Sequence, residues 1–486
     1  MLSEIRWRWG GGSDHRNQIM TDTFLGSRSG SAVWQDRRKY VWAFGGQVYN
    51  PTSKKFEVKN DLWRFDLKKL WAKHSMQTGW ELMHPGSSDL DISINNTMRA
   101  PVPRQLATAC GIPEKIIIVY GGAGKDAVPL GDTWAFYIPE KRWYPLSEMV
   151  KKFHNESIGT EPPRRGGQAT WCMQNKFYIF SGANENDNLL RDMWMFDMVG
   201  LKWSQTKTSA KISNNQISSS LVTMPHGRSG AATWVGFDNA LYIFSGNHKN
   251  GNFRNKHLNY GFSTDFWEYN ITIDSWKFLM GDQEKCLHGV YGKMMHPNEK
   301  NIPGCRRGAA AWTDTMGNLW MFGGDGASVD PASISDTLPS STLADLWHYD
   351  LDRKVWYWMG GSDKGNDAGN YKNAGRKYTT GIYPSSRTEA IIFRLWNEFY
   401  IYGGVGHDST QAFGLLSDLW GIDAHTKVMY PNTAYPGTIF MIIFSAMCLV
   451  LIIIVTFMYT RKFFKSAERR SALSEMEYSR LSTEVD

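Results

Sequence analysis

Six arginines and six aspartates recur through this chain at matched offsets: Arg28, Arg104, Arg165, Arg228, Arg306 and Arg387, with Asp61, Asp132, Asp192, Asp265, Asp345 and Asp418. Carboxylates converging on one point would bind a cation, but groups that recur in separate repeats cannot all converge. Capping of turn amides at strand ends is the expected role of the aspartates, and pairing near strand starts that of the arginines. Cysteines stand at 110, 172, 286, 305 and 448 without a CxxC pair or metal-ligand spacing, so disulfides are open to them but sparse. Histidines at 226, 248, 257, 288 and 296 form no motif, and neither Gly-x-Ser-x-Gly nor His-Glu-x-x-His occurs. "GGAGK" (121–125) has the look of a phosphate loop, yet no Ser or Thr follows Lys125. No catalytic set and no cofactor are expected.

The elements that position these residues are repeats. Each arginine is followed six residues later by an aromatic or cysteine: Trp34, Cys110, Trp171, Trp234, Trp312 and Phe393. Then comes a short apolar run closed by a small doublet: Gly45-Gly46, Gly121-Gly122, Ser181-Gly182, Ser245-Gly246, Gly323-Gly324 and Gly403-Gly404. Each aspartate opens Asp-x-Trp, giving Trp63, Trp134, Trp194, Trp267, Trp347 and Trp420, and a further tryptophan follows at 71, 143, 203, 276 and 356. Apolar runs such as "KIIIVY" (115–120) suit strands buried on both faces. The doublets let the chain turn where no side chain fits, and the tryptophans give each sheet a surface to bury against the next. In the first repeat, strands are expected near 30–35, 40–45, 61–66 and 70–72. The sixth repeat lacks its last tryptophan, with Met429 in its place, but "WRWGGGS" (7–13) matches "WYWMGGS" (356–362). Residues 5–12 should therefore supply the missing outer strand and close the ring.

These residues resemble the Kelch repeat family over roughly 5 to 430. The resemblance implies an all-β fold, a six-bladed Kelch-type β-propeller with the N-terminal strand closing the last blade. Serines 181 and 245 depart from the glycine doublet, and both are small enough for the turn. Copper radical oxidases resemble this chain in using Kelch-type propellers, with two histidines, two tyrosines and a tyrosine-linked cysteine at the metal; no histidine here pairs with that motif.

Residues 438–459 carry no charge over 22 positions, about 33 Å of helix, and read as one C-terminal transmembrane helix contacting the lipid bilayer. Arg461, Lys462, Lys465, Arg469 and Arg470 follow it, which by the positive-inside rule puts the tail in the cytoplasm and the propeller outside. No signal-peptide core occupies the first 30 residues, so an upstream leader or a cytosolic propeller tethered to an internal membrane is the competing reading. The organisation is thus a propeller over 1–430, a linker over 431–437, the span, and a disordered tail over 460–486. Asn95, Asn155 and Asn270 head glycosylation sequons, and Tyr478 and Leu481 frame a tyrosine-based sorting pattern for an endocytic adaptor.

With 46 glycines, 22 tryptophans and 21% charged residues, the chain is not helical in character. A net charge of +7 without a dense basic stripe argues against nucleic acid. Long insertions at 79–103, 206–227, 247–264, 279–303, 325–344 and 359–386 are the expected binding surface. Tyr291, Tyr371 and Tyr378 offer aromatic contacts to a protein or glycan ligand of a receptor or adhesion module; an extracellular oxidase is the rival.

Overall fold

The computed structural model describes residues 5–18, 25–36, 39–73, 79–86, 100–207, 224–237, 239–248, 261–328, 341–372, 378–395 and 398–423. All lie in the compact unit Glu4–Thr426; the other unit, Met1–Ser3 with Lys427–Asp486, lies outside the described residues. Among the described residues, no helix is long and apolar enough to cross a bilayer. The two α-helices there, α1 (Leu67–Lys73) and α2 (Leu146–His154), have seven and nine residues, against about 20 for a span. The single-pass membrane location expected from the sequence is therefore corrected: it is not supported, and residues 438–459, the tail and its Tyr478–Leu481 pattern lie outside the described residues.

The chain is all-β, built of antiparallel sheets in which each repeat supplies consecutive strands. In repeat three these are Ala169–Met173, Lys176–Phe180, Met193–Asp197 and Lys202–Gln205. Every residue of "FYIF" (177–180) is buried, because each sheet packs on both faces against its neighbours. Apolar clusters accordingly straddle repeats. Cys110, Ile118 and Met149 pack with Phe177, Trp194 and Trp203, and Val41, Trp63 and Phe65 pack with Phe393, Tyr400 and Leu419.

The last sheet runs Trp7–Gly11, Leu419–Asp423, Glu398–Tyr402, Ile391–Leu395. Trp7 faces Ile422 and Trp9 faces Trp420, the register in which Trp356 faces Tyr349 and Trp358 faces Trp347 in repeat five. The N-terminal strand is thus the outer strand of the sixth repeat, as the match of 7–13 to 356–362 predicts. Arg8 fastens it, donating to Glu398 at 2.8 Å and to the Tyr400 hydroxyl.

Repeat one departs from expectation. Residues 70–72 lie in helix α1, and the outer strand is Trp80–His84, with Trp80 opposite Phe65 as Trp203 is opposite Phe196. The tryptophan needed for the sheet came after a helical insertion, so Trp71 matched the spacing but not the role. The strands Tyr40–Asn50 and Lys55–Asp66 also run past the doublet as a long hairpin.

All twelve doublet residues have positive φ, including Ser181 at 62° and Ser245 at 58°. A Cβ on Gly46 would sit 2.7 Å from the Ser29 carbonyl, so glycine is required there. The first doublet position tolerates serine because the hydroxyl is put to use. Ser181 Oγ donates to Leu190 O and accepts the Arg228 amide, both at 2.5 Å; Ser245 Oγ does the same with Ser263 O and the Arg306 amide.

Two residues after each arginine the backbone is again left-handed, at Gly30, Leu106, Gly167, Gly230, Gly308 and Glu389. Their amides and carbonyls form a cycle: Leu106 donates to Gly30, Gly167 to Leu106, Gly230 to Gly167, Gly308 to Gly230, Glu389 to Gly308, and Gly30 to Glu389, at 2.7–3.3 Å. A hydrogen-bonded series that returns to its start requires the contributing repeats to surround a common axis.

Candidate binding site

The recurring charges pair with one another within the fold. In repeat five the Arg306 guanidinium, wholly buried, donates to Asp345 Oδ1 at 2.7 Å and Oδ2 at 2.8 Å, to the Gly304 carbonyl and to the carbonyl of the doublet residue Gly323. Trp347 Nε1 donates to the same Oδ2 at 2.7 Å. The clamp repeats as Arg28–Asp61–Trp63, Arg104–Asp132–Trp134, Arg165–Asp192–Trp194, Arg228–Asp265–Trp267 and Arg387–Asp418–Trp420. The expectation that these aspartates cap turn amides is corrected: each is a bidentate acceptor for arginine and for its own tryptophan. Burial works against the Asp265 and Asp418 carboxylates, but the Arg228 and Arg387 charges and hydrogen bonds outweigh it and hold both pKa values below the usual range.

The clamps differ in cover. The aspartate side chain is 38% exposed at Asp132, 17% at Asp192 and no more than 4% at Asp61, Asp265, Asp345 and Asp418. At two of the covered clamps the cover is a tyrosine. Tyr291 donates its hydroxyl to Asp345 Oδ2 at 2.9 Å with its ring 4.9 Å from Trp347, and Tyr371 donates to Asp418 Oδ2 at 2.7 Å with its ring 5.1 Å from Trp420. Burial and the adjoining carboxylate push the Tyr291 phenol well above its ordinary pKa. Tyr378 lies beneath the Arg8 guanidinium, 4.8 Å away. The three tyrosines expected to face a ligand are thus packed against the fold: the phenols of Tyr291 and Tyr371 reach the clamps, and the ring of Tyr378 packs on Arg8.

Antiparallel connectivity separates short turns from long connections. Turns such as 174–175 and 198–201 lie at one end of the sheets, and the doublet loops and inter-repeat connections at the other. At the long-loop end a pocket of about 1410 Å³ opens between the repeat-one hairpin (Lys55–Lys59) and residues 124–128. Beside it a pocket of about 750 Å³ is lined by Asp132, Trp134 and Pro145 with Ile158 and Glu161. Of the sequon residues, Asn155 is exposed at the end of α2. Asn270 sits half-buried at the end of the strand Thr264–Asn270, accepting the Thr272 and Ile273 amides of the following turn, and Asn95 lies outside the described residues.

Cys110 is bonded to Cys172, and Cys286 to Cys305. Cys110 occupies the position from which Trp171 and Trp234 donate to the next repeat at Tyr242 O and Trp320 O, so the disulfide replaces an aromatic wedge between repeats two and three. That pairing removes both as the tyrosine-linked cysteine of an oxidase. Among the described residues, no group of three His, Cys, Asp or Glu is placed to hold a metal. His226 and His248 stack with ring centroids 6.3 Å apart, and burial keeps both pKa values low.

The axial cycle was not anticipated from the sequence. Its signal is a glycine two residues after the arginine in four repeats, obscured by Leu106 and Glu389 in the others.

Comparison with known proteins agrees with this geometry. The profile described as the KLHDC2/KLHL20/DRC7 Kelch-repeats domain matches residues 41–292. The F-box/kelch-repeat protein At1g51550 of Arabidopsis thaliana is 29% identical over 160 residues, covering 33% of this chain and 29% of that protein, so the similarity spans less than a third of the relative's length. The solved structure of YjhT superposes with a TM-score of 0.50 over 82% of this chain and 95% of its own, at 14% identity, a likeness of fold alone. With the family profile matching just over half of its length, the chain belongs to the Kelch-repeat family of β-propellers.

Proposed function

We propose that this chain is a protein-binding module, a six-bladed propeller that presents its long-loop end to a partner. The six-blade reading is supported by the cycle through Gly30, Leu106, Gly167, Gly230, Gly308 and Glu389 and by the pairing of Trp7–Gly11 with the last repeat. One observation carries the binding reading. The six recurring arginines are buried in their pairs with aspartate, so what varies from repeat to repeat is the loop end, and there the two adjoining pockets of repeats one and two open, with Asp132 in the wall of the second. A rigid ring bearing variable loops is a scaffold for recognition.

The test compares the two ends. The hairpin tip Tyr49–Phe56 is replaced by a two-residue turn and Lys125 and Val128 by serine; a control carries Phe237→Ser and Met316→Ser, exposed turn residues at the other end. Both are used in affinity capture with quantitative mass spectrometry. Partners lost from the first variant and kept by the second are the expected outcome. The reverse pattern, with both variants folded, overturns the assignment.

A further inference from the structure

Repeats five and six record what their clamp accepts. In repeat five the Tyr291 ring lies 4.9 Å from Trp347 and edge-on to Trp358 at 5.2 Å, while its hydroxyl becomes a third donor to Asp345 Oδ2 beside Arg306 and Trp347. In repeat six Tyr371 repeats the bond to Asp418 and the packing on Trp420. The two tyrosines stand 15 and 16 residues before Arg306 and Arg387, and the stretch before Arg104, residues 85–103, contains no aromatic residue.

Repeat two has the same acceptor and the same tryptophan, with a proline in the second wall. Asp132 Oδ2 accepts Arg104 Nη2 at 2.8 Å and Trp134 Nε1 at 2.6 Å. Pro145 faces Trp134 across the sheet, the position of Trp358 against Trp347. Asp132, Trp134 and Pro145 all line the pocket of about 750 Å³, and Asp132 is the most exposed of the six clamp aspartates.

We propose that this socket takes a tyrosyl side chain from a protein partner, the phenol donating to Asp132 Oδ2 and the ring lying in the pocket against Pro145 and the small open edge of Trp134, 3% of which is exposed. The proposal rests on the protein-binding reading and names the chemistry of one contact within it. The acceptor carboxylate selects a donor hydroxyl over a bare phenyl ring. Glu148 and Glu161 line the same pocket beside Asp132, with Arg164 the opposing charge, so a phosphorylated tyrosine is disfavoured by like charge.

The probe is N-acetyltyrosinamide, titrated onto the full chain by saturation-transfer NMR with N-acetylphenylalaninamide and the phosphotyrosine amide alongside. Loss of one hydrogen bond to a charged acceptor predicts binding of the phenylalanine amide about tenfold weaker or more, and a similar loss in Asp132→Asn. Pro145→Trp, which rebuilds the second wall of repeat five, should tighten binding several-fold. Thermal melting establishes that each variant is folded, and if Asp132→Asn is not, Pro145→Trp and the phenylalanine comparison decide. Equal binding of the tyrosine and phenylalanine amides overturns the proposal. So does binding indifferent to both substitutions, or no binding by wild type and Pro145→Trp at about 10 mM. Such a failure with partner capture still dependent on the loop end removes the tyrosyl assignment alone; loss of that dependence removes the binding reading as well.

Discussion

Six copies of one clamp at different depths make an internal experiment on buried charge. Replacing Asp345 by alanine leaves Arg306, whose side chain has no exposed surface, without its counter-charge. It also strands the Trp347 indole N–H and the Tyr291 hydroxyl, both donors to the lost carboxylate. Breaking a buried pair by removing one partner costs about 3–5 kcal/mol, and two further orphaned donors place Asp345→Ala at or above the top of that range. Asp132→Ala removes the same bidentate contact from Arg104, whose side chain is equally buried, but Asp132 itself is 38% exposed against an open pocket, so water entering the vacated site can reach the guanidinium and the Trp134 N–H, and about 2 kcal/mol is expected. Over a cooperative unit the size of Glu4–Thr426, 1 kcal/mol corresponds to about 1 °C in Tm. Differential scanning calorimetry should therefore place Asp345→Ala about 5 °C and Asp132→Ala about 2 °C below wild type. Equal shifts, or a larger loss at Asp132, would refute the argument that solvent access sets the cost.

Deleting residues 1–13 removes the strand Trp7–Gly11 and exposes the Leu419–Asp423 edge; the truncated chain should lose its cooperative melt or aggregate, as light scattering would reveal. Cys110→Ser opens a link spanning 62 residues, worth about 4 kcal/mol by chain entropy, and should lower the urea midpoint in non-reducing buffer while matching wild type under reductant. Burial holds the His348 pKa down at about 4 in the folded chain, with Asp314 and Asp350 opposing it. The unfolded chain takes up that proton near pH 6.5, so stability is lost as pH falls from about 6.5 to 4, by about 3 kcal/mol. His348→Phe should flatten that part of the Tm–pH curve. Ser181→Ala keeps the left-handed backbone but strands the Arg228 amide and should cost about 1–2 kcal/mol, whereas Ser181→Gly relieves the backbone and should cost less, read from paired urea melts.

The sequence by itself determined the repeats, because each depends on local requirements. A left-handed turn needs glycine or a hydroxyl that can be re-used, a doubly buried strand needs an apolar run, and a sheet stacked on its neighbours needs tryptophan at fixed offsets. For the same reason residues 7–13 could be assigned to the last sheet: strand register carries across the chain when the side-chain pattern does. Tertiary structure decided what depends on neighbours distant in sequence. Spacing could not tell whether Trp71 or Trp80 completes the first sheet, since a helical insertion shifts the number but not the register. Nor could it tell that Tyr291 and Tyr371 turn inward to the clamps. Composition marks a loop tyrosine as a contact, but which way it faces is set by a carboxylate 54 or 47 residues away. The candidate socket was illegible for the same reason. Asp132 reads like its five counterparts in sequence, and its 38% exposure arises only in the folded chain.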